Sequence, residues 1–337
     1  MTAASANRIA FFDNLKGLLI LLVLVGHFFQ DYPSFRWPIY AFHMPLFVFI
    51  SGFFSKSIVS NGKYRAEKPL GIFFLYLGAT TLSCWVQGRW IPVFLKPQWG
   101  LWYLQGLFVW YVLSPLADAL RNRWVLLGAI LLFPMLVREA TVLDARPWMR
   151  ILQYLPFFLM GRFAPLALQD FLCLGVVRAK KLIISSAVGG AILLLVLWAK
   201  SDTAAVVLGH YDMPLGFATP GDFAGWFARM FLLAPLISFF VMVLMPRCRL
   251  PLAFLGERTL QIYVFHAVFW PWEWQTREWF VPFVGGKAAS FVSMGIWLGI
   301  LLLPYWKNLV SVLPALASRI LASYGSGKVP VVHKDAL

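Results

Sequence analysis

The chain consists of long apolar stretches separated by short polar or basic segments. A helix needs about 20 apolar residues to cross the hydrocarbon core of a bilayer. Counted in this way, the pattern predicts about ten transmembrane helices, with boundaries accurate to within several residues. The predicted fold class is therefore all-α, a polytopic integral membrane bundle. The predicted spans are 14–30, 37–58, 69–88, 101–119, 124–138, 150–165, 182–199, 226–245, 254–273 and 288–305.

Composition supports a membrane location. Of the 337 residues, 61% are hydrophobic and 13% are charged. A soluble domain of this length is about half apolar and about a quarter charged, so lipid must solvate the excess apolar surface. The 16 Trp and 31 Phe residues agree with this, because aromatic rings concentrate at bilayer interfaces.

The net charge of +15 indicates the orientation of the chain in the membrane more than it indicates a nucleic-acid partner. The Lys and Arg residues lie in short clusters between the apolar stretches, and this is the pattern of cytoplasmic loops. We therefore predict cytoplasmic N- and C-termini, contact with membrane lipids and no nucleic-acid partner. Residues 1–324 are predicted to form one membrane-embedded domain, and residues 325–337 a disordered cytoplasmic tail.

Several kinds of site lack their sequence signals. The three cysteines, Cys84, Cys173 and Cys248, have no metal-ligand spacing, and no H-E-x-x-H sequence is present, so no metal is predicted. No phosphate-binding glycine motif is present either, which argues against ATP hydrolysis and a dinucleotide site. The polar segment 200–225 is either a recognition loop on the outer face or a plain connector.

The first predicted span carries three ionisable residues, Asp13, Lys16 and His27. Lys16 and His27 are eleven positions apart, about three helical turns, so they share one helix face roughly 16 Å apart along the axis. Asp13 and Lys16 are spaced to form an ion pair. Ionisable groups in a span indicate a functional site. The alternative is a lysine that extends to the interface and a histidine that only bonds a neighbouring helix.

Two further histidines lie in predicted spans. His43 begins an apolar stretch in the second span, at the same end as His27, so two imidazoles from adjacent helices could share proton transfer near neutral pH. His266 lies inside the ninth span and is either a core hydrogen-bonding residue or part of a site. Ser51 has no nucleophile-elbow sequence around it, which favours a packing role.

A basic cluster lies between the second and third predicted spans. Anionic lipid headgroups account for such clusters at roughly 1 kcal/mol per basic residue. A coenzyme A thioester would need the same charges for its phosphates. The cluster consists of Lys56, Lys63, Arg65 and Lys68.

Short motifs run through the chain in a recognisable order. They are Asn7-Arg8, Asp13-Asn14-Leu15-Lys16-Gly17, Val25-Gly26-His27, His43-Met44-Pro45-Leu46-Phe47, Leu101-Trp102-Tyr103-Leu104, Leu155-Pro156-Phe157-Phe158-Leu159-Met160-Gly161, and Leu255-Gly256 through Ile262-Tyr263 to His266. In this order they resemble the membrane acyltransferase-3 family, and most closely its fucose 4-O-acetylase-like branch. The likeness extends from about residue 7 to residue 270, and the first two spans carry its most specific part.

The resemblance implies acyl transfer from cytoplasmic acetyl-CoA to a sugar hydroxyl of a glycan or lipid-linked sugar, in the bacterial cytoplasmic (inner) membrane. The family's first-span histidine maps to His27, which would act as general base or acyl carrier. The family's first-span basic residue is often arginine and is lysine here, and its paired-arginine motif is only half kept. From the residue pattern and the resemblance together we predict three sets of site residues. The catalytic set is His27, His43, Asp13 and Lys16; the donor-binding set is Arg8, Lys16, Arg65 and Lys68; the acceptor-binding set is Trp102, Tyr103 and His266.

Two other functions stay open on the sequence alone. A proton-coupled transporter or exporter of a glycan or small molecule would use the same spans, with His27 and His43 as proton relays. A membrane sensor or scaffold without turnover is the second. The first-span motif beside the basic cluster favours the enzyme, because a carrier does not require this combination.

Overall fold

The computed structural model describes residues 3–32, 38–60, 63–88, 100–120, 128, 146–165, 184–191 and 226–325. Apart from one short antiparallel ladder, the elements in these residues are helical. The longer helices are α1 (Ala3–Phe28), α2 (His43–Phe54), α3 (Glu67–Gln87), α4 (Trp102–Ala119), α5 (Arg146–Phe163), α6 (Ala234–Leu244), α7 (Leu252–Gly256), α8 (Thr259–Val284), α9 (Gly286–Leu301) and α10 (Pro304–Gly325). A 3₁₀ turn (Ser55–Ile58) follows α2, a π-helical turn (Arg229–Leu233) precedes α6, and the ladder pairs Val59–Ser60 with Lys63–Tyr64.

Several helices are long and apolar enough to cross a membrane. In the described chain they are Ala10–Phe28, Pro38–Ile58, Glu67–Gln87 and Trp226–Leu244. The helix pair Gly286–Leu301 and Pro304–Leu316 meets the same test together, with a bend of 57° between its halves. The prediction of an all-helical membrane protein is confirmed at this level, while the count of ten spans and the side of the termini stay predictions. The predicted spans 124–138 and 182–199, the segment 200–225 and the tail 325–337 lie wholly or mostly outside the described residues.

Helix α8 is longer than the span predicted at 254–273. It runs from Thr259 to Val284, 26 residues, which corresponds to about 39 Å. The polar residues Glu273 and Arg277 are buried against partners inside the protein, so they do not end the helix. Helix α10 was not predicted, because no span was counted after residue 305.

Helix α1 packs against α2, α7, α8 and α9, and its two ends define two ends of the described bundle. Phe12 packs against Phe53, at the end of α2, with ring centroids 5.7 Å apart. At the other end of α1, the His27 ring lies beside Tyr40, which precedes α2. The two helices are therefore antiparallel, and we refer to these ends as the Asp13 end and the His27 end.

Glycines allow two pairs of helices to touch backbone to backbone. A Cβ atom added to Gly17 of α1 would overlap the carbonyl oxygen of Leu252, and one added to Gly256 would overlap that of Asp13. Gly52 of α2 and Gly161 of α5 face each other's helices in the same way. Small residues at such crossings permit the close packing that holds membrane helices together. The glycines of the quoted motifs therefore have a packing role.

Asn14 holds the segment between α6 and α7 onto α1. Its side chain is fully buried, and its Nδ2 donates to the carbonyl oxygens of Pro246 (3.1 Å) and Cys248 (2.7 Å). Its Oδ1 accepts a hydrogen bond of 3.0 Å from the backbone N–H of Leu250. One side chain thus satisfies three backbone groups of a non-helical segment.

We expect Asn14→Ala to destabilise the protein by several kcal/mol. Each buried polar group left without a hydrogen-bond partner lowers the free energy of unfolding by about 1–3 kcal/mol. The substitution removes the partner of three backbone groups, those of Pro246, Cys248 and Leu250. The midpoint of thermal unfolding in detergent, followed by tryptophan fluorescence, measures the effect. The exposed Asn308→Ala is the matched control, since α10 presents that residue at its surface. Equal midpoints for the two variants would contradict this role of Asn14.

Candidate functional site

A cavity of about 200 Å³ lies at the His27 end of the bundle. It has room for several water molecules, each of which takes about 30 Å³ in the liquid, or for a small organic group. Helices α1, α2, α4, α5 and α8 contribute to its wall, together with residues just before α2 and α4. The lining residues are Val23, His27, Tyr40, His43, Met44, Gly100, Trp102, Arg150, Tyr154 and Tyr263.

His27 lies in the last turn of α1 and is oriented by Tyr40. The Tyr40 hydroxyl is 3.2 Å from His27 Nδ1 and 3.2 Å from the Gly26 carbonyl oxygen. A hydroxyl has one proton, and a carbonyl oxygen can only accept. Both contacts are satisfied when Tyr40 donates to Gly26 and His27 Nδ1 donates to the Tyr40 oxygen. The ring lone pair of a neutral His27 is then at Nε2, as a general base requires.

His43 reaches the same cavity from the start of α2. It is buried, and its Nδ1 lies 2.8 Å from the carbonyl oxygen of Ile39, so Nδ1 carries the proton. The Tyr40 ring stands near both imidazoles, with centroids 5.0 Å from His43 and 6.1 Å from His27. The structure thus brings together the two histidines that the sequence placed at one end of adjacent helices, and their chemical roles stay predictions.

His266 lies directly beside His27. Their ring centroids are 5.1 Å apart, and Trp270 packs against both rings at 5.5 and 5.6 Å. On its other side, His266 Nδ1 is 2.6 Å from Oε2 of Glu273, which is completely buried. His266 is a neighbour of the cavity wall and not one of its lining residues, so its predicted contact with the acceptor stays a prediction.

An arginine and stacked aromatic rings form another part of the wall. The Arg150 guanidinium lies 5.4 Å from the centroid of the Trp102 ring, which stacks on Tyr154 with centroids 5.1 Å apart. Sugar rings commonly bind on aromatic faces of this kind because each has an apolar face and polar edges. The predicted acceptor-binding residue Trp102 therefore lines the cavity, and its contact with the acceptor stays a prediction.

Tyr103 lies behind the wall. Its hydroxyl is 2.5 Å from Ser51 Oγ, and Ser51 in turn donates to the carbonyl oxygen of Phe47. Its ring packs edge-on against Tyr263, which lines the cavity and donates its hydroxyl to the Gly100 carbonyl. The contacts of Ser51 agree with the packing role predicted for it, and substrate binding by Tyr103 stays a prediction.

The predicted donor-binding residues lie toward the opposite end. Lys16 forms the expected ion pair with Asp13, at 2.8 Å. Arg65 pairs with Glu67 at 2.6 Å, and Lys68 donates to Ser57 Oγ at 2.5 Å. The side chain of Arg8 is outside the described residues. The structure therefore separates these cations from the histidine cluster and does not merge them into one site.

Several members of the site were missed in the sequence, among them Tyr40, Arg150 and Glu273. Tyr40 gave no signal, because nothing in a sequence shows that a tyrosine thirteen residues after His27 folds back onto it. Arg150 was placed at the outer end of the predicted span 150–165 and given no role, yet it lines the cavity from the second turn of α5. Glu273 could have been found: it is seven residues after His266, two helical turns on one face, and an acidic group in an apolar helix indicates function.

Comparison with known proteins gives a match over almost the whole chain. The family profile described as "Acyltransferase domain" matches residues 9–328. The nodulation protein NolL of Sinorhizobium fredii is 25% identical over 195 residues, covering 48% of this chain and 50% of that protein. NolL of Mesorhizobium japonicum is 41% identical over 68 residues, covering 17% of this chain and 18% of that protein. The chain therefore spans about half the length of these relatives or less, and no solved structure matches it.

Proposed function

We propose that this chain, which belongs to the acyltransferase-3 family of membrane acyltransferases, moves an acetyl group from cytoplasmic acetyl-CoA to a sugar hydroxyl. The acceptor would be a glycan or a lipid-linked sugar, and the membrane the bacterial cytoplasmic (inner) membrane. The observation that carries the proposal is the position of His27. It lines a cavity beside a second and a third imidazole, and its contact with Tyr40 favours the tautomer in which the lone pair is at Nε2.

In the proposed reaction, His27 Nε2 takes the proton of the acceptor hydroxyl. The hydroxyl oxygen attacks the thioester carbonyl carbon and forms the new C–O bond. The tetrahedral intermediate then collapses, the C–S bond breaks, and the thiolate leaves with the electron pair and receives the proton. In the alternative route, in which His27 carries the acyl group, Nε2 attacks the thioester carbonyl carbon first, the C–S bond breaks and the thiolate leaves with the electron pair. The acceptor hydroxyl then attacks the acyl-imidazole, the C–N bond breaks, and the hydroxyl proton passes to the thiolate. Both routes need the same histidine in the same place.

The donor would reach this cavity from the Asp13 end. Lys16, Arg65 and Lys68 supply positive charge for the phosphates of coenzyme A there, with Arg8 as a fourth candidate. Lys16 and His27 are separated by about 16 Å along α1, so an extended pantetheine arm between the helices can place its thioester near His27. Binding energy from the phosphates would position the reacting carbon.

We assign the Arg150 guanidinium to the negative charge that develops on the thioester oxygen. A preorganised donor at such a position contributes about 100- to 1000-fold to kcat. We therefore expect Arg150→Gln to lower kcat by this factor with little change in KM for acetyl-CoA, measured by thiol release. Arg249→Gln is the matched control, because that arginine is exposed at the Asp13 end and pairs with Glu257. A kcat for Arg150→Gln equal to that of the control would remove Arg150 from the reaction.

A direct assay separates the enzyme from a carrier. Purified protein in detergent is incubated with acetyl-CoA labelled in the acetyl group, with and without glycan acceptors. Label on the acceptor and release of free coenzyme A support the proposal. Movement of the glycan into sealed vesicles without thioester consumption would overturn it in favour of a transporter. Mass spectrometry of the glycans from a deletion strain would then identify the acceptor by the acetyl groups it lacks.

A further inference from the structure

The carboxyl group of Glu273 is only half satisfied. Its side chain has no exposure, and its Oε2 lies 2.6 Å from His266 Nδ1. In the part of the chain that the structure describes, Oε1 has no hydrogen-bond partner. Arg277, one turn further along α8, directs its guanidinium to Asp31, Glu278 and Ser290 instead. The hydrogen bond that the Glu273 carboxyl group makes among the described residues is therefore the one to His266.

A buried carboxyl group of this kind contributes little to the stability of the fold. Burying a charged group costs several kcal/mol, and a carboxyl that only stabilised the fold would have both oxygens bonded. Ionisable groups inside membrane helices are retained chiefly where they serve a function. The position of Glu273 agrees with this: among the described residues, the hydrogen-bond partner of its carboxyl group is His266, and the His266 ring also stands against His27.

Resting on the function proposed above, we propose that Glu273 is a positioning residue of acyl transfer. Through the Nδ1–H of His266 it fixes the second imidazole against His27, and it supplies negative charge that offsets the positive charge on His27 during the reaction. The carboxylate exchanges no atoms with the substrates. The proton passes from the acceptor oxygen to His27 Nε2 and then to the thiolate sulfur, while the C–O bond forms and the C–S bond breaks.

The residues around His27, His266 and Glu273 favour a positioning role for the Glu273 carboxylate. Trp270 packs edge-on against both imidazole rings, and the Phe28 ring lies 6.2 Å from the His266 ring. His266 and Glu273 are buried, so water has little access to screen the charge between these two side chains. A carboxylate that acts through one imidazole therefore has a larger effect than it would in water. The Arg150 guanidinium on the cavity wall adds positive charge near His27, which increases the need for a compensating anion.

The test compares two ways of removing the carboxylate. Glu273→Gln keeps the shape and removes the charge, and we expect kcat to fall about 100-fold with KM for acetyl-CoA nearly unchanged. The double variant His266→Phe with Glu273→Leu replaces the polar pair by apolar side chains, so neither partner is left buried and unpaired. We expect it to fold with an unchanged unfolding midpoint and to lose as much activity as His266→Gln alone.

Glu278→Gln is the matched control, because it makes the same chemical change five residues further on a half-exposed side chain. We expect its kcat to equal that of the wild type. The solvent isotope effect on a single turnover gives a second reading, since the loss of a purely structural contact would leave it unchanged while Glu273→Gln would alter it.

Full activity in the folded double variant would overturn the proposal. The proposal would also be overturned if a variant carrying both His266→Gln and Glu273→Gln lost activity equal to the sum of the two single losses in free energy. Residues that act as one unit give a combined variant that is little worse than either single variant. The result for His27→Ala keeps this outcome distinct from failure of the proposed function. If His27→Ala is inactive while the double variant is active, only the role of Glu273 is wrong; if both are active, the proposed reaction is wrong.

Discussion

His27→Ala is expected to lower kcat for acetyl transfer by about 100- to 10,000-fold, the contribution of a positioned general base. The variant removes the group that takes the acceptor proton in the proposed reaction. His43 and His266 stay in place, because their Nδ1 atoms bind the Ile39 carbonyl and the Glu273 carboxyl group. The measurement is the rate of label transfer from acetyl-CoA by purified protein, at saturating donor and acceptor.

Two controls make this result specific. His333→Ala removes a histidine from the predicted tail, and its kcat should equal that of the wild type. Added imidazole should partly restore His27→Ala, because the substitution leaves a space beside Tyr40 that a free imidazole can fill. Undiminished acetylation by a folded His27→Ala variant would exclude both the general-base and the acyl-carrier role.

The second large effect is expected on folding. Gly52→Ala should prevent recovery of a monodisperse protein, because the new Cβ atom would overlap the carbonyl oxygen of Phe158 in α5. Overpacking by one methyl group usually costs about 1–3 kcal/mol, and here the obstacle is backbone, which cannot rotate away as a side chain can. Separation of α2 from α5 would also move His43 and Arg150, which line the cavity from these two helices.

Gly295→Ala in α9 is the matched control. A Cβ atom at that position meets nothing within 4 Å, so the same substitution should be neutral or should stabilise the helix by about 0.4–1 kcal/mol. Size-exclusion profiles after detergent extraction and thermal unfolding midpoints compare the two variants. Similar profiles and midpoints for both would show that the α2–α5 crossing tolerates a wider separation.

The membrane-helical character of the protein followed from the apolar pattern alone, for a physical reason. Backbone N–H and C=O groups inside a bilayer have no water to bind, and a helix satisfies all of them within one segment. A long apolar stretch is therefore expected to form a helix. The start of α3 and the end of α4 were therefore predicted to within two residues. The end of α8 was missed, because Glu273 and Arg277 look like loop residues until their buried partners are known.

The first-span motif was interpreted as chemistry, and the structure shows that part of it is packing. Asn14 binds the segment before α7, and Gly17 lets α7 approach α1. The i,i+3 ion pair of Asp13 with Lys16 could be predicted, since helical spacing is a local property. The partners of Asn14 could not, because they lie more than 230 residues further along the chain.

The sequence by itself determined what depends on local pattern: membrane helices, the family resemblance, and His27 as the leading candidate residue. Only the tertiary structure decided which groups surround that histidine. Tyr40, Arg150, His266 and Glu273 come from different helices and connecting segments, and the rotation and depth of each helix set their distances. The register of each helix follows from contacts such as that of Gly52 with α5. These contacts join residues far apart in the chain, so they cannot be predicted from the local sequence of either helix.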